Sequence, residues 1–278
     1  IFSFEKWLKR KLHNFFRTCE KKCLHLRAEG GQGRRWNRFT VRPFTEGTRN
    51  GKCMKWMFAG FSEKNLRPTN MDSLFVEERR IEEKAALLAV VCDGVGSRAD
   101  GAFASAYATE SLASWFYAQT SAGQLALSLR ERVLRINREI LIHAEQRGLA
   151  TASTLAALLL VEDRYSTVHA GDSRIYAVDE AQIAQLTHDD AAADGKLEQY
   201  LGRADGLQLQ YSEADASGQS FLLCTDGFYR KMPQEMLRQA AQAKTRAELD
   251  ALLRSMCKTV QQRGERDNIS AVLIKTKG

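Results

Sequence analysis

The chain reads as an α+β protein, with antiparallel β-sheets that carry α-helices on their outer faces. Short apolar or β-branched runs bounded by Gly, Asp or Asn recur from Trp56 onward. Two pairs of consecutive helical stripes interrupt these runs, and regular strand-helix-strand alternation is missing. That order excludes a doubly wound parallel sheet and predicts a layered sandwich.

Residues 87–92, 154–161, 165–170, 221–224 and 269–274 are the clearest buried strands, and Asp72 begins another short strand-like run. Between them, Ala104, Ala108, Leu112 and Trp115 form one helical stripe, and Leu125, Leu129, Val133, Ile136 and Ile140 form a second. Two further helices follow Pro233, a residue suited to a first helical turn. They are marked by Met236, Leu237 and Ala240, then by Leu249, Leu252, Leu253, Met256 and Val260. The run at residues 269–274 closes the fold.

Composition agrees with a packed body. Of 278 residues, 44% are hydrophobic and 27% charged, enough to bury a sizeable core. Three prolines, 19 glycines and no low-complexity run exclude a collagen-like or wholly disordered chain. The longest apolar stretch, residues 155–161, is far short of the roughly 20 residues that span a bilayer. Six cysteines lie scattered, Cys92 and Cys224 inside apolar runs, which predicts a reduced, cytoplasmic protein.

Charge divides the chain in two. Residues 1–55 carry a net +11 and the remainder −4, out of an overall +7. The predicted division is a basic amphipathic segment with its linker over 1–52, and a folded body over 53–278. In the first part Phe4, Leu8, Leu12, Phe15, Cys19, Cys23 and Leu26 recur at helical steps, while Lys6, Lys9, Arg10, Arg17, Lys21 and Lys22 fall largely elsewhere. Gly30, Gly31 and Gly33 break the pattern into a connector rich in Arg. Three readings stand side by side for residues 1–50: an anchor on anionic membrane, a docking helix for an acidic protein, and a helix packed on its own body. Specific nucleic-acid binding is not expected. Cys19, Cys23 and His25 lack a second ligand pair at zinc-finger spacing, so a metal there is disfavoured.

The chemistry is signalled by two similar segments. Residues 88–94 and 221–227 are each an apolar run ending in Asp-Gly, at Asp93-Gly94 and Asp226-Gly227. A strand that leaves the core this way delivers a carboxylate to a sheet edge, and Gly lets the backbone turn behind it. Asp267 stands at the entry of the last strand and Asp72 at the start of another. In antiparallel sheets exit and entry ends are neighbours, so the four carboxylates are placed to meet at one edge. Gathered carboxylates repel unless a cation sits among them, and oxygens without local His or Cys suit Mg²⁺ or Mn²⁺. Each Asp-Gly pair taken singly is also an ordinary turn signal.

A series of blocks then occurs in order: Arg67-Pro68-Thr69-Asn70-Met71-Asp72, Val91-Cys92-Asp93-Gly94-Val95-Gly96-Ser97, Ala152-Ser153-Thr154-Leu155, Ala170-Gly171-Asp172-Ser173-Arg174, Leu186-Thr187-His188-Asp189, Cys224-Thr225-Asp226-Gly227, and Arg266-Asp267-Asn268-Ile269-Ser270. This series resembles the metal-dependent serine/threonine protein phosphatases of the PPM or 2C type, in their compact bacterial form, over about residues 56–275. The resemblance implies a two-sheet antiparallel sandwich flanked by helices. It also implies two Mn²⁺ or Mg²⁺ ions bridged by Asp93, with the Gly94 carbonyl on one and Asp226 and Asp267 on the other. Asp72 would hold water next to the ions, Arg67 would receive the phosphate, and Asp172 would join Asp226 around a third, weaker ion. A water activated between two cations would attack phosphorus in line, with no covalent phosphoenzyme. Consistently, Ser97, Ser153 and Ser173 lack an evident His-Asp pair.

Other polar residues are assigned structural parts: an ion pair or a functional role for Arg174, packing or surface positions for His143, His169 and His188, turn formation for Thr225, and orientation of Asp267 by the Asn268 amide. The chain departs from the family pattern at Met71, where many relatives carry Glu or Gln, and at Asp190, where many carry His. Only 11 residues separate Asp189 from Leu201, where the family usually inserts a longer flap. The function expected is hydrolysis of phosphoserine and phosphothreonine in proteins by a monomer, reversing a kinase in bacterial signalling. The alternative is a phosphoprotein-binding or partner-switching module on the same fold.

Overall fold

The computed structural model describes residues 55–95, 100–179 and 182–276. The segment predicted over 1–52 lies outside the described residues, as do Gly96 and Ser97. In chain order the strands are β1 (Trp56–Glu63), β2 (Asp72–Ile81), β3 (Lys84–Asp93), β4 (Leu155–Val161), β5 (Arg164–Ala170), β6 (Arg174–Val178), β7 (Ile183–Gln185), β8 (Gln210–Asp215), β9 (Ser220–Cys224) and β10 (Ile269–Thr276). Helices α1 (Gly101–Ala118) and α2 (Leu125–Arg147) fall between β3 and β4. Helices α3 (Asp226–Tyr229), α4 (Gln234–Arg238) and α5 (Arg246–Gln262) fall between β9 and β10.

Two five-stranded sheets result, ordered β1-β10-β9-β6-β7 and β2-β3-β4-β5-β8, and the strand pairs are antiparallel. The predicted α+β sandwich is therefore present. Period-2 alternation decides which residues fill each layer. In β10, Val272 and Ile274 enter the core between the sheets with Leu87, Leu158 and Phe221, while Ile269, Ala271 and Leu273 turn to the outer layer. That layer is closed by α5, whose Leu249, Leu253, Met256 and Val260 recur at three- and four-residue steps. Its N-cap, Thr245, accepts the Glu248 amide at 3.2 Å. Fully buried Phe116, Phe221 and Phe228 each stabilise the fold by about 1.5–3 kcal/mol through area removed from water.

On the opposite face α1 packs against β2 and β3. Its buried line runs Ala104, Ala108, Leu112, Phe116, so the last position is Phe116 where the sequence predicts Trp115. A four-residue step from Leu112 stays closer to the face than a three-residue one. The helix expected after Pro233 is only five residues long and continues as a 3₁₀ turn through Gln242, with Pro233 at its N-cap position. Asp72 opens a ten-residue strand, longer than the short run predicted.

The short connection after Asp189 folds back onto the body. The Asp190 amide donates to the Gly171 carbonyl at 2.7 Å, and fully buried Leu201 bridges to Ser153. No helix among the described residues is long and apolar enough to cross a membrane.

Candidate metal centre

Both sheets end at one edge of the sandwich, and each brings carboxylates there. In the first sheet Asp72, which starts β2, faces Asp93, which ends β3, across the antiparallel pair, so both side chains leave the same face. In the second, Asp226 stands two residues beyond β9 as the first residue of α3, and Asp267 stands two residues before β10. Two hydroxyls join the halves: Thr225 and Ser270, flanking Asp226 and Asp267, donate to Asp72 Oδ2 at 2.9 and 2.7 Å. Asp172 lies on the turn between β5 and β6, within electrostatic reach of Asp226.

Close backbone approach explains both Asp-Gly pairs. A Cβ on Gly227 would stand 2.0 Å from the Asn268 carbonyl oxygen, and one on Gly94 would stand 2.5 Å from that of Gly101. Only glycine lets β9 and β10, or β3 and the start of α1, meet this tightly. Behind Asp93, the Thr154 hydroxyl accepts the Asp93 amide at 2.8 Å, and the Ser153 hydroxyl donates to its carbonyl at 3.0 Å.

Two arginines reach into the cluster. Arg67 grips Asp267 with both arms of its fork, Nε to Oδ1 at 2.8 Å and Nη2 to Oδ2 at 2.7 Å, and its side chain remains half-exposed. Arg230 pairs with Asp226 one helical turn away. Sequence reasoning missed Arg230; its i,i+4 spacing from Asp226 on a helix starting at that aspartate was the available signal.

Asn268 acts differently from expectation. Its side-chain amide does not touch the Asp267 carboxylate; it donates to the Lys64 and Thr69 carbonyls at 2.9 and 3.1 Å and accepts the Met71 amide at 2.9 Å. The amide thus secures the loop that carries Arg67, while the Asn268 backbone N–H donates to Asp267 Oδ1 at 2.9 Å. Thr225 does more than form its turn, through its bond to Asp72. Arg174 sits in an ion pair with Asp189 at 2.7 Å and stacks over the Tyr229 ring at 3.6 Å. His169 is fully buried with Nε2 on the Ser173 carbonyl at 2.7 Å, and His143 contacts Asp100 and stacks on Phe103, as packing residues do.

Electrostatics binds the two halves together. Burial, with repulsion from Asp226 and Asp267, raises Asp72 to about 7 despite the two hydroxyl donors. Asp93 is pushed well up by burial and by Asp72, Asp226, Asp172 and Asp267. Burial and Asp226 lift Asp172 to about 6, with Arg230 opposing. Asp226 rises through burial, again eased by Arg230. For Asp267 burial works upward as well, but Arg67 wins and holds it below the ordinary carboxylate range.

Such a cluster fits a hard cation. Asp72 Oδ1 and Asp226 Oδ1 are buried acceptors without a donor, an arrangement a divalent ion or its water would satisfy. Among the described residues no three His, Cys, Asp or Glu side chains converge as bound-ion ligands do, in keeping with the turn of Asp226 and Asp267 toward arginines.

A family model described as protein phosphatase 2C matches residues 69–274. The serine/threonine phosphatase stp of Listeria monocytogenes is 24% identical over 216 residues, covering 68% of this chain and 84% of its own. The serine/threonine protein phosphatase PstP of Mycobacterium tuberculosis is 27% identical over 210 residues, covering 66% of this chain and 38% of its own. A crystal structure of the catalytic domain of PstP in complex with 2 manganese ions superposes with a TM-score of 0.69 at 24% identity, covering 81% of this chain and 99% of that one.

Proposed function

The chain belongs to the protein phosphatase 2C family, and from that premise we propose that it removes phosphate from phosphoserine and phosphothreonine in proteins with two divalent ions, Mn²⁺ or Mg²⁺. One observation carries the reading: carboxylates from both sheets meet at one edge and leave two buried oxygens unsatisfied.

Asp93, the Gly94 carbonyl, Asp226 and Asp267 would hold the ions, with Asp172 beside Asp226 at a weaker third position. When bound, divalent ions acidify coordinated water and offset charge on phosphoryl oxygens. Asp72, anchored through Oδ2 by Thr225 and Ser270, has Oδ1 free to orient water beside the ions. Arg67 would exchange Asp267 for the substrate, since its fork matches two phosphate oxygens as well as two carboxylate oxygens. A cysteine nucleophile is disfavoured: Cys92, Cys224 and Cys257 are buried, and burial pushes the first and last up to about 12 and Cys224 still higher.

The physiological substrate would be a phosphoprotein modified by a kinase in bacterial signalling. Residues 1–52 would supply a basic contact to an acidic protein or an anionic membrane; salt-sensitive binding to anionic vesicles, lost without residues 1–50, would favour the membrane.

The test is hydrolysis of a phosphothreonine peptide by the wild type and by Asp226→Asn, each with Mn²⁺, Mg²⁺ or EDTA. Turnover that requires metal and disappears in the variant is expected. Folded wild type with no turnover in either metal would overturn the reading in favour of a phosphoprotein-binding module.

A further inference from the structure

A cavity of about 250 Å³ opens between two chain segments that each lead to or from a site aspartate. One wall is the stretch after α3, Arg230 to Pro233 with Glu235, beginning four residues beyond Asp226. The other is Arg263, the C-cap of α5, four residues before Asp267. Three cations and one anion therefore line a space joined to the candidate centre through Arg230, which lines the cavity and pairs with Asp226.

The cations are not equally engaged. Arg230 is committed to Asp226. Lys231 and Arg263 are exposed, and neither forms an ion pair among the described residues. Isolated surface cations are usually just solvated, but two that line one cavity together with Arg230 leave a positive field that Glu235 alone does not cancel. This field lies outside a cluster that is itself acidic, so it attracts an anion that the carboxylates would repel.

We propose that this cavity receives an anionic side chain of the substrate, a carboxylate or a second phosphate, near the phosphoresidue being hydrolysed. Phosphosites with acidic neighbours are then preferred. The inference rests on the phosphatase reading for its substrate and adds a subsite to it. Lys231 and Arg263 supply the attraction, and Arg230 links the subsite to Asp226.

The test uses the full chain with Mn²⁺ and three phosphothreonine peptides of equal length: one flanked by Gln, one by Glu, and one carrying a second phosphothreonine. In the wild type at low salt, KM for the Glu-flanked and doubly phosphorylated peptides is expected to be about three- to tenfold lower than for the Gln-flanked peptide, with kcat alike. In Lys231→Gln/Arg263→Gln that advantage disappears while turnover of the Gln-flanked peptide is unchanged, both residues being exposed. A preference for only one anion would identify the subsite's ligand. Equal KM values in the wild type, or a preference that survives the double substitution, would overturn the proposal. Anisotropy of the labelled peptides separates the two readings: charge-dependent binding that needs Lys231 and Arg263 without turnover would sink the phosphatase reading alone.

Discussion

The two halves of the carboxylate cluster are built on opposite principles. Asp72 and Asp93, from the β2-β3 hairpin, have no cation as hydrogen-bonding partner among the described residues; neutral hydroxyls and amides hold Asp72 and the Asp93 backbone, and both acids are pushed upward. Asp226 and Asp267, from the β9-β10 side, each carry an arginine. The hairpin half keeps its position by strand register and tolerates unneutralised charge. The other half is neutralised by side chains about half exposed, which can leave without disturbing a strand. A cation entering the site meets fixed ligands on one side and displaceable counter-ions on the other.

The strongest way to break this contrast is to remove charge from each half in turn. Asp93→Asn and Asp226→Asn should each lower kcat by at least about 10³-fold, because metal charge stabilisation is worth several kcal/mol and about 1.4 kcal/mol is tenfold. If Asp93→Asn retained wild-type turnover in Mn²⁺, the fixed half would be dispensable and the comparison wrong. Arg67→Ala should reduce kcat/KM by about 10²-fold, the typical loss of one preorganised donor to developing charge. Arg67→Lys should recover only part of it, since an ammonium cannot grip two oxygens at once.

A subtler difference appears without metal. Asp72 at about 7 and Asp172 at about 6 lie above their ordinary range, so the unfolded chain ionises first and the folded state loses stability as pH rises from about 4 to about 7. Each unit of displacement corresponds to about 1.4 kcal/mol. Thermal melting in EDTA should therefore fall between pH 5 and 7.5, Mn²⁺ should restore it, and Asp72→Asn should flatten the slope. A melting temperature that rose with pH in EDTA would contradict the assignment. The smallest effect concerns the displaceable half: Arg230→Ala should tighten Mn²⁺ binding a few-fold by calorimetry, in line with the modest worth of an exposed ion pair.

The carboxylates of both halves were legible in the sequence because strand ends are. Apolar runs that stop at Asp93-Gly94 and Asp226-Gly227 announce both the burial of the strand and the exit of a carboxylate, and Asp72 and Asp267 follow from antiparallel pairing. The arginines were less legible: the pairing of Arg230 with Asp226 depends on a four-residue helix too short to show a periodic stripe. The use of Asn268 to hold the 64–71 loop depends on contacts about 200 residues apart in the chain. β7 and β8 escaped notice for a related reason. They are sheet-edge strands with partly exposed residues, so no apolar run marks them.

The hydrogen bond from Ser270 to Asp72 spans 198 residues of sequence. It ties the second strand to the last, and β10 itself lies between β1 and β9 in its sheet. During vectorial synthesis the hairpin carboxylates emerge early, yet the site has no second half until β10 has inserted between its neighbours. A nascent or truncated chain would carry most of the ligands and little affinity for the ion. Metal uptake would therefore follow the insertion of β10, and a polypeptide lacking that strand would have no hydrolytic activity to misdirect.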